Sequence, residues 1–96
     1  MIPQNRISTH PGIILLKEYL EPMELTQKEL ADHLGIPIQR INEIVRGKRG
    51  VSADTAWLLS KAFKTSPEFW LNLQAMFDLS SHRPSREIAP LKGVKV

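Results

Sequence analysis

Four side chains within one short stretch, Gln39, Asn42, Glu43 and Arg46, carry the groups that read a nucleic acid along its base edges. An amide presents a donor beside an acceptor and suits adenine, a guanidinium suits guanine or a phosphate, and a carboxylate can accept from the cytosine amino group. Ile38 could touch a thymine methyl, although the helical wheel places it at the edge of the core. Around them, residues 35–50 hold Arg40, Arg46, Lys48 and Arg49 against Glu43, a local charge of +3 that equals the net charge of the whole chain. In Gly47-Lys48-Arg49-Gly50 the glycines let the backbone approach phosphates closely and the cations hold them. Gln27 and the free N–H groups beside it at a helix start can dock another phosphate. The candidate base-reading set is thus Ile38, Gln39, Asn42 and Glu43, and the candidate phosphate-binding set is Gln27, Arg40, Arg46, Lys48 and Arg49. The plainer reading of the same residues is a solvated helix face on which Glu43 pairs with Arg40 or Arg46.

To act together these side chains must share one side of a helix, and the punctuation of the chain supplies it. Thr26-Gln-Lys-Glu29 has the form of a capping box, with Leu25 and Leu30 placed as a hydrophobic staple, so a helix over residues 26–34 is expected to stop at Gly35. Pro37 can open the next helix, to about residue 46 before Gly47. On its wheel Ile38, Ile41, Ile44 and Val45 fall within about 60° of Ile41, while the polar set points away. Two short helices, a tight glycine-containing turn and a basic exit are the parts of a helix-turn-helix, over about residues 26–46. Other helices are expected over residues 11–20, with Pro11 first and Ile13, Leu16 and Leu20 as its apolar stripe; over 53–63, capped by Ser52; and over 66–79. The fold class is all-α, with five helices and no alternating strand pattern.

Composition narrows the function. A chain of 96 residues with 42% hydrophobic and 24% charged residues has room for one domain: an N-terminal arm over 1–9, the helical domain over 10–79 and a basic tail over 80–96. The absence of cysteine excludes disulfide frameworks, thiolate zinc sites and cysteine nucleophiles. His10, His33 and His82 lack metal-ligand spacing, and there is neither a nucleophile elbow nor a phosphate loop, so no enzyme, metal or cofactor is expected. Most of the aromatic residues, Tyr19, Trp57, Phe63, Phe69, Trp70 and Phe77, sit at helical spacing and read as core rather than as a stacking platform for single strands. The longest apolar run, residues 13–16, is too short for a bilayer, and the first residues do not read as a leader, which makes the cytoplasm the expected location. Charge is unevenly spread: residues 17–32 hold two lysines against five carboxylates, a local −3, and the tail is again +3.

The last helix hints at a partner. Phe69, Trp70, Leu73, Met76 and Phe77 form one apolar stripe, but Leu71 and Ala75 lie opposite and Leu79 lies off it. A helix apolar on two sides needs two surfaces to bury against. The second is a homodimer partner, given Leu71, Ala75 and Leu79 with Val94 and Val96 of the tail, or else packing beneath the tail itself. Leu91, Val94 and Val96 could form a short strand, whereas Pro90 and Gly93 suit a flexible tail.

Residues 25–37 and 41–49 resemble the Cro/C1-type, lambda repressor-like DNA-binding domain. His10-Pro11-Gly12, Ser52-Ala-Asp-Thr-Ala56 and Thr65-Ser-Pro-Glu-Phe-Trp-Leu-Asn-Leu-Gln74 are similar to the HigA-type antitoxins, also called virulence-associated protein I. The resemblance implies a bacterial antitoxin that binds a HigB-type mRNA endonuclease toxin, forms a homodimer and represses its own operon at a palindromic operator. Carried onto this sequence, it adds Pro37 to the groove-facing positions. Pro37 stands where many relatives have Ser or Thr, so the operator sequence is not inherited with the fold. A transcriptional repressor of the same fold without a toxin is the alternative.

Overall fold

His10 opens the first helix. Its backbone is extended at ψ 139° and its Nδ1 accepts the Gly12 N–H at 2.9 Å, capping α1 (Pro11–Ile14), whose first residue has no N–H to lose. The computed structural model describes residues 7–95, and among them the chain is helical with no strand, as the periodicity predicts. α1 runs directly into a π-helical segment (Leu15–Leu20), where the Glu21 N–H reaches back to the Leu16 carbonyl at 2.9 Å. The α-helical stripe expected here is therefore displaced. Leu15 and Leu20 would stand about 140° apart on an α-helix, yet both are buried, while Ile13 is exposed. The wider turn brings the two leucines to one side.

α2 (Gln27–Leu34) forms as its capping box dictates. Thr26 Oγ1 accepts the Glu29 N–H at 3.0 Å, and Glu29 Oε1 accepts the Thr26 N–H at 2.9 Å. Gly35, at φ 71°, ends it in the left-handed conformation. α3 (Ile38–Val45) begins one residue later than the sequence suggests: Pro37 is its N-cap, extended at ψ 141°, and Arg46 is its C-cap. α4 (Ala53–Phe63) starts at Ser52. α5 (Pro67–Ser81) is capped by Ser66 and runs two residues past its expected end, with the Ser80 and Ser81 hydroxyls both donating to the Phe77 carbonyl.

α4 packs on α5, α2 on α3 and α4, and α1 bridges α3 and α5. Trp70 is wholly buried at the centre, its Nε1 donating to Thr65 Oγ1 at 2.8 Å, and Tyr19 and Phe63 stack around it. Most of the aromatics are core as expected, and the exceptions are Trp57, 56% exposed, and Phe69, which also faces outward. Beyond α5 the strand alternative is not realised, and the chain turns at Gly93, where the Val94 N–H meets the Leu91 carbonyl at 3.2 Å. The radius of gyration, 16.4 Å, exceeds the roughly 12 Å of a compact chain this long. With a long dimension of 54 Å against 23 and 21 Å, the tail projects from the helical body. Val96 and most of the expected N-terminal arm lie outside the described residues.

Candidate nucleic-acid interface

Ile41 and Ile44 are wholly buried and Val45 nearly so, which fixes the inner side of α3. Gln39 is exposed on the outer side, and so is Ile38, 46% exposed rather than at the core edge where the wheel puts it. Pro37 is exposed at the entry. The backbones of α1 and α3 meet at Gly12: a Cβ there would overlap the Ile44 carbonyl oxygen, so only glycine permits this approach. On another side, Asn42 Nδ2 donates to Gln27 Oε1 at 3.2 Å. One side chain assigned to bases and one assigned to phosphate thus orient each other across the two motif helices.

The charged members are arranged differently from the sequence expectation. Arg40 Nη1 pairs with Asp54 Oδ2 at 3.2 Å in the first turn of α4. Glu43 pairs with neither Arg40 nor Arg46, its Oε1 accepting instead from Arg49 Nε at 2.8 Å. Exposed pairs of this kind contribute about 0–1 kcal/mol, so either arginine can exchange its carboxylate for a phosphate at little cost. Arg46 and Lys48 are exposed and unpaired among the described residues.

The exit loop is folded back onto α3. Gly47 takes φ 74°, after which the N–H groups of Lys48 and Arg49 both donate to the Glu43 carbonyl, at 2.8 and 3.2 Å. Gln74 of α5 anchors its far end: Oε1 accepts the Val51 N–H at 2.7 Å, and Nε2 donates to Asp78 Oδ1 at 2.9 Å. Sequence reasoning missed Gln74, Asp54, Gly12 and His10 as parts of this apparatus. They lie on other helices, and no spacing rule links them to α3; the His10-Pro11-Gly12 run marked a helix start but not the contact it serves. His10 is buried edge-on against Phe77, with ring centroids 4.8 Å apart. Burial lowers its pKa below the ordinary 6.5, against the opposing pull of the Asp78 carboxylate.

The dimer candidates separate. Leu71 is half-buried and packs against the core, so it is not the free face the wheel suggests. Ala75, Leu79 and Val94 are exposed, Leu79 at 64%, and Val96 is outside the described residues. Phe69 and Met76, expected in the core, join Leu79 on the outer side of α5 while Trp70, Leu73 and Phe77 turn inward.

A family model described as helix-turn-helix matches residues 16–70. Virulence-associated protein I of Dichelobacter nodosus is 50% identical over 70 residues, covering 73% of this chain and 65% of that protein; the chain spans about two thirds of the length of such relatives. A Pseudomonas aeruginosa protein, PA4674, solved in complex with its operator DNA, superposes with a TM-score of 0.82 at 37% identity, covering 88% of this chain and 97% of that one. Pseudomonas aeruginosa antitoxin HigA, solved with the higBA promoter, gives a TM-score of 0.75 at 41% identity, covering 76% and 79%.

Proposed function

The chain belongs to the Cro/C1-type helix-turn-helix family, and from that premise we propose that it is an antitoxin that represses its own operon as a homodimer on a palindromic operator and neutralises a HigB-type mRNA endonuclease toxin. The family is one of DNA-binding regulators rather than enzymes. The observation that carries the reading is the division of α3. One side is locked into the core by Ile41 and Ile44, and the other holds Ile38 and Gln39 free beside the exposed cations of residues 46–49. An α-helix so mounted enters the major groove, where Gln39 can bond adenine bidentately and Ile38 can meet a thymine methyl. Asn42, held by Gln27, and Glu43, held by Arg49, complete the base-reading face. Phosphates flanking the groove are held by Gln27, Arg40, Arg46, Lys48 and Arg49.

One recognition helix per chain suits a two-fold operator read by two copies, the outer side of α5 supplying Ala75 and Leu79 to the contact between them. The toxin assignment is supported by the likeness to HigA, and the site of action by the location of the operator, the bacterial cytoplasm. Anisotropy titration of the chain against its own promoter and against random DNA tests the DNA reading. Specific binding is expected, with log K falling by about 0.9 per phosphate contact for each unit of log salt; equal affinity for both DNAs would refute it. Co-purification with the product of the adjoining upstream reading frame tests the toxin reading, and a chain that represses but captures no such product is the repressor without a toxin.

A further inference from the structure

The corner between the π-helical segment and α2 is a second surface, which meets the proposed DNA-binding side at one edge, where Gln27 lines it. Two adjoining concavities of about 320 Å³ each meet at Leu25; Leu16 and Leu20 line one, and Met23, Leu30 and Phe63 line the other. The carboxylates of Glu21, Glu24 and Glu29 rim this apolar floor. Lys17 and Lys28 are neutralised by Glu21 and Asp32 at 3.3 and 2.9 Å, and Glu29 is held by the Thr26 N–H. Glu24 is left without an ion pair among the described residues. Met23 stands over the floor at 58% exposure.

The complementary surface is carried by the same chain. Arg86, Lys92 and Lys95 make no ion pair among the described residues, and Ile88, Leu91 and Val94, three residues apart, are all exposed, Leu91 at 82%. Apolar side chains interleaved with cations match an apolar floor rimmed by carboxylates. We propose that the C-terminal tail of one copy docks in the corner between the π-helical segment and α2 of a second copy, each tail reaching across the homodimer. The inference rests on the homodimer of the preceding reading and names a contact that holds it together. The tail lies in trans because every residue from 82 to 95 is exposed and the segment projects from its own body. It also leaves from the end of α5, whose Phe69, Met76 and Leu79 are exposed on the face that the proposed homodimer would cover. Residues 86–95 can extend about 33 Å, enough to reach over a partner of this size.

The chain contains no cysteine, so Met23→Cys and Leu91→Cys each introduce a single thiol at an exposed position outside the recognition face. Under mild oxidation the mixture of the two single variants is expected to give a disulfide-linked heterodimer in large excess over either variant alone. Adding Glu21→Lys and Glu24→Lys to the Met23→Cys chain should cut the yield about tenfold or more, since it brings like charges together across the contact. A Met23→Cys/Leu91→Cys chain that closes on itself as a linked monomer would place the tail on its own corner and overturn the proposal. Protection of the Met23→Cys thiol from alkylation by a separate basic protein, and not by the tail, would assign the corner to that partner and also overturn it. Absence of the linked heterodimer with a dimeric mass by light scattering overturns the docking while leaving the homodimer intact, and a monomeric mass overturns both.

Discussion

At the scale of single residues, the proposed function divides the α3 surface into groups that would read bases and groups that would hold phosphates. Gln39 is exposed and makes no side-chain hydrogen bond among the described residues, so its amide is available to a base. Gln39→Ala is expected to cost about 1–3 kcal/mol at one base step and little on random DNA, whereas Lys48→Ala should weaken all sequences alike and lower the salt slope by about 1. Titrations of operator and random DNA at several salt concentrations distinguish the two, and equal losses in Gln39→Ala would remove it from base reading. Asn42 and Glu43 are different because each is already held, by Gln27 and Arg49; their substitution disturbs the posture of the motif as well as its contacts. His10 adds a pH dependence away from the interface. Because its folded pKa lies below the ordinary 6.5, the folded chain binds fewer protons than the unfolded one. Its contribution to stability is therefore complete above pH 6.5 and is lost as the pH falls through the interval down to the folded pKa. Urea unfolding between pH 8 and pH 5 should show that decline, and His10→Asn, which keeps a capping acceptor but does not titrate, should flatten it. The residue types of the interface were legible in the sequence because hydrogen-bonding capacity is local; their pairings were not, since Arg40 reaches Asp54 and Gln27 reaches Asn42 through the folded arrangement of different helices.

At the scale of elements, the signals that survived folding were those carried by backbone chemistry. Thr26 with Glu29, Gly35, Ser52 and Ser66 all stand where capping rules place them. The π-helical segment was not legible: Ile13, Leu16 and Leu20 keep an α-helical spacing, and the wider turn depends on packing Leu15 and Leu20 together. The α1–α3 contact was equally hidden, because it is a statement about absent volume at Gly12. Gly12→Ala must push its methyl group into the Ile44 carbonyl, which is backbone and cannot rotate away. A loss of about 1–3 kcal/mol or more is expected, although alanine is the better helix former by about 1 kcal/mol. Since the displaced backbone belongs to the recognition helix, operator affinity measured well below the unfolding transition should fall too. Unchanged stability and affinity in Gly12→Ala would show that the two helices have room to separate.

At the scale of the whole molecule, the charge pattern was legible and the burial of α5 was not. The −3 and +3 segments are sums over sequence, and folding leaves them as an acidic corner and a projecting tail. The two apolar sides of α5 were also visible, but a wheel ranks positions only against a chosen centre; α4 and α1 pack against Trp70, Leu73 and Phe77 and draw Leu71 into the core, leaving Phe69, Met76 and Leu79 outside. Burial therefore decides which residue can test the interface. Leu71→Asp buries a charge beside the core and should destabilise the fold itself, so its effect on assembly is uninformative. Leu79→Asp changes a residue 64% exposed and should leave the fold of each chain within about 0.5 kcal/mol of its parent. If α5 faces the partner, that carboxylate must be desolvated next to its two-fold copy, where like charges brought together cost several kcal/mol. Light scattering should then show mass shifting toward the monomer. Binding to a full palindrome should weaken by more than tenfold, while binding to an isolated half-site, which needs one recognition helix, stays the same. A Leu79→Asp chain that remains dimeric and binds the palindrome undiminished would move the interface away from α5.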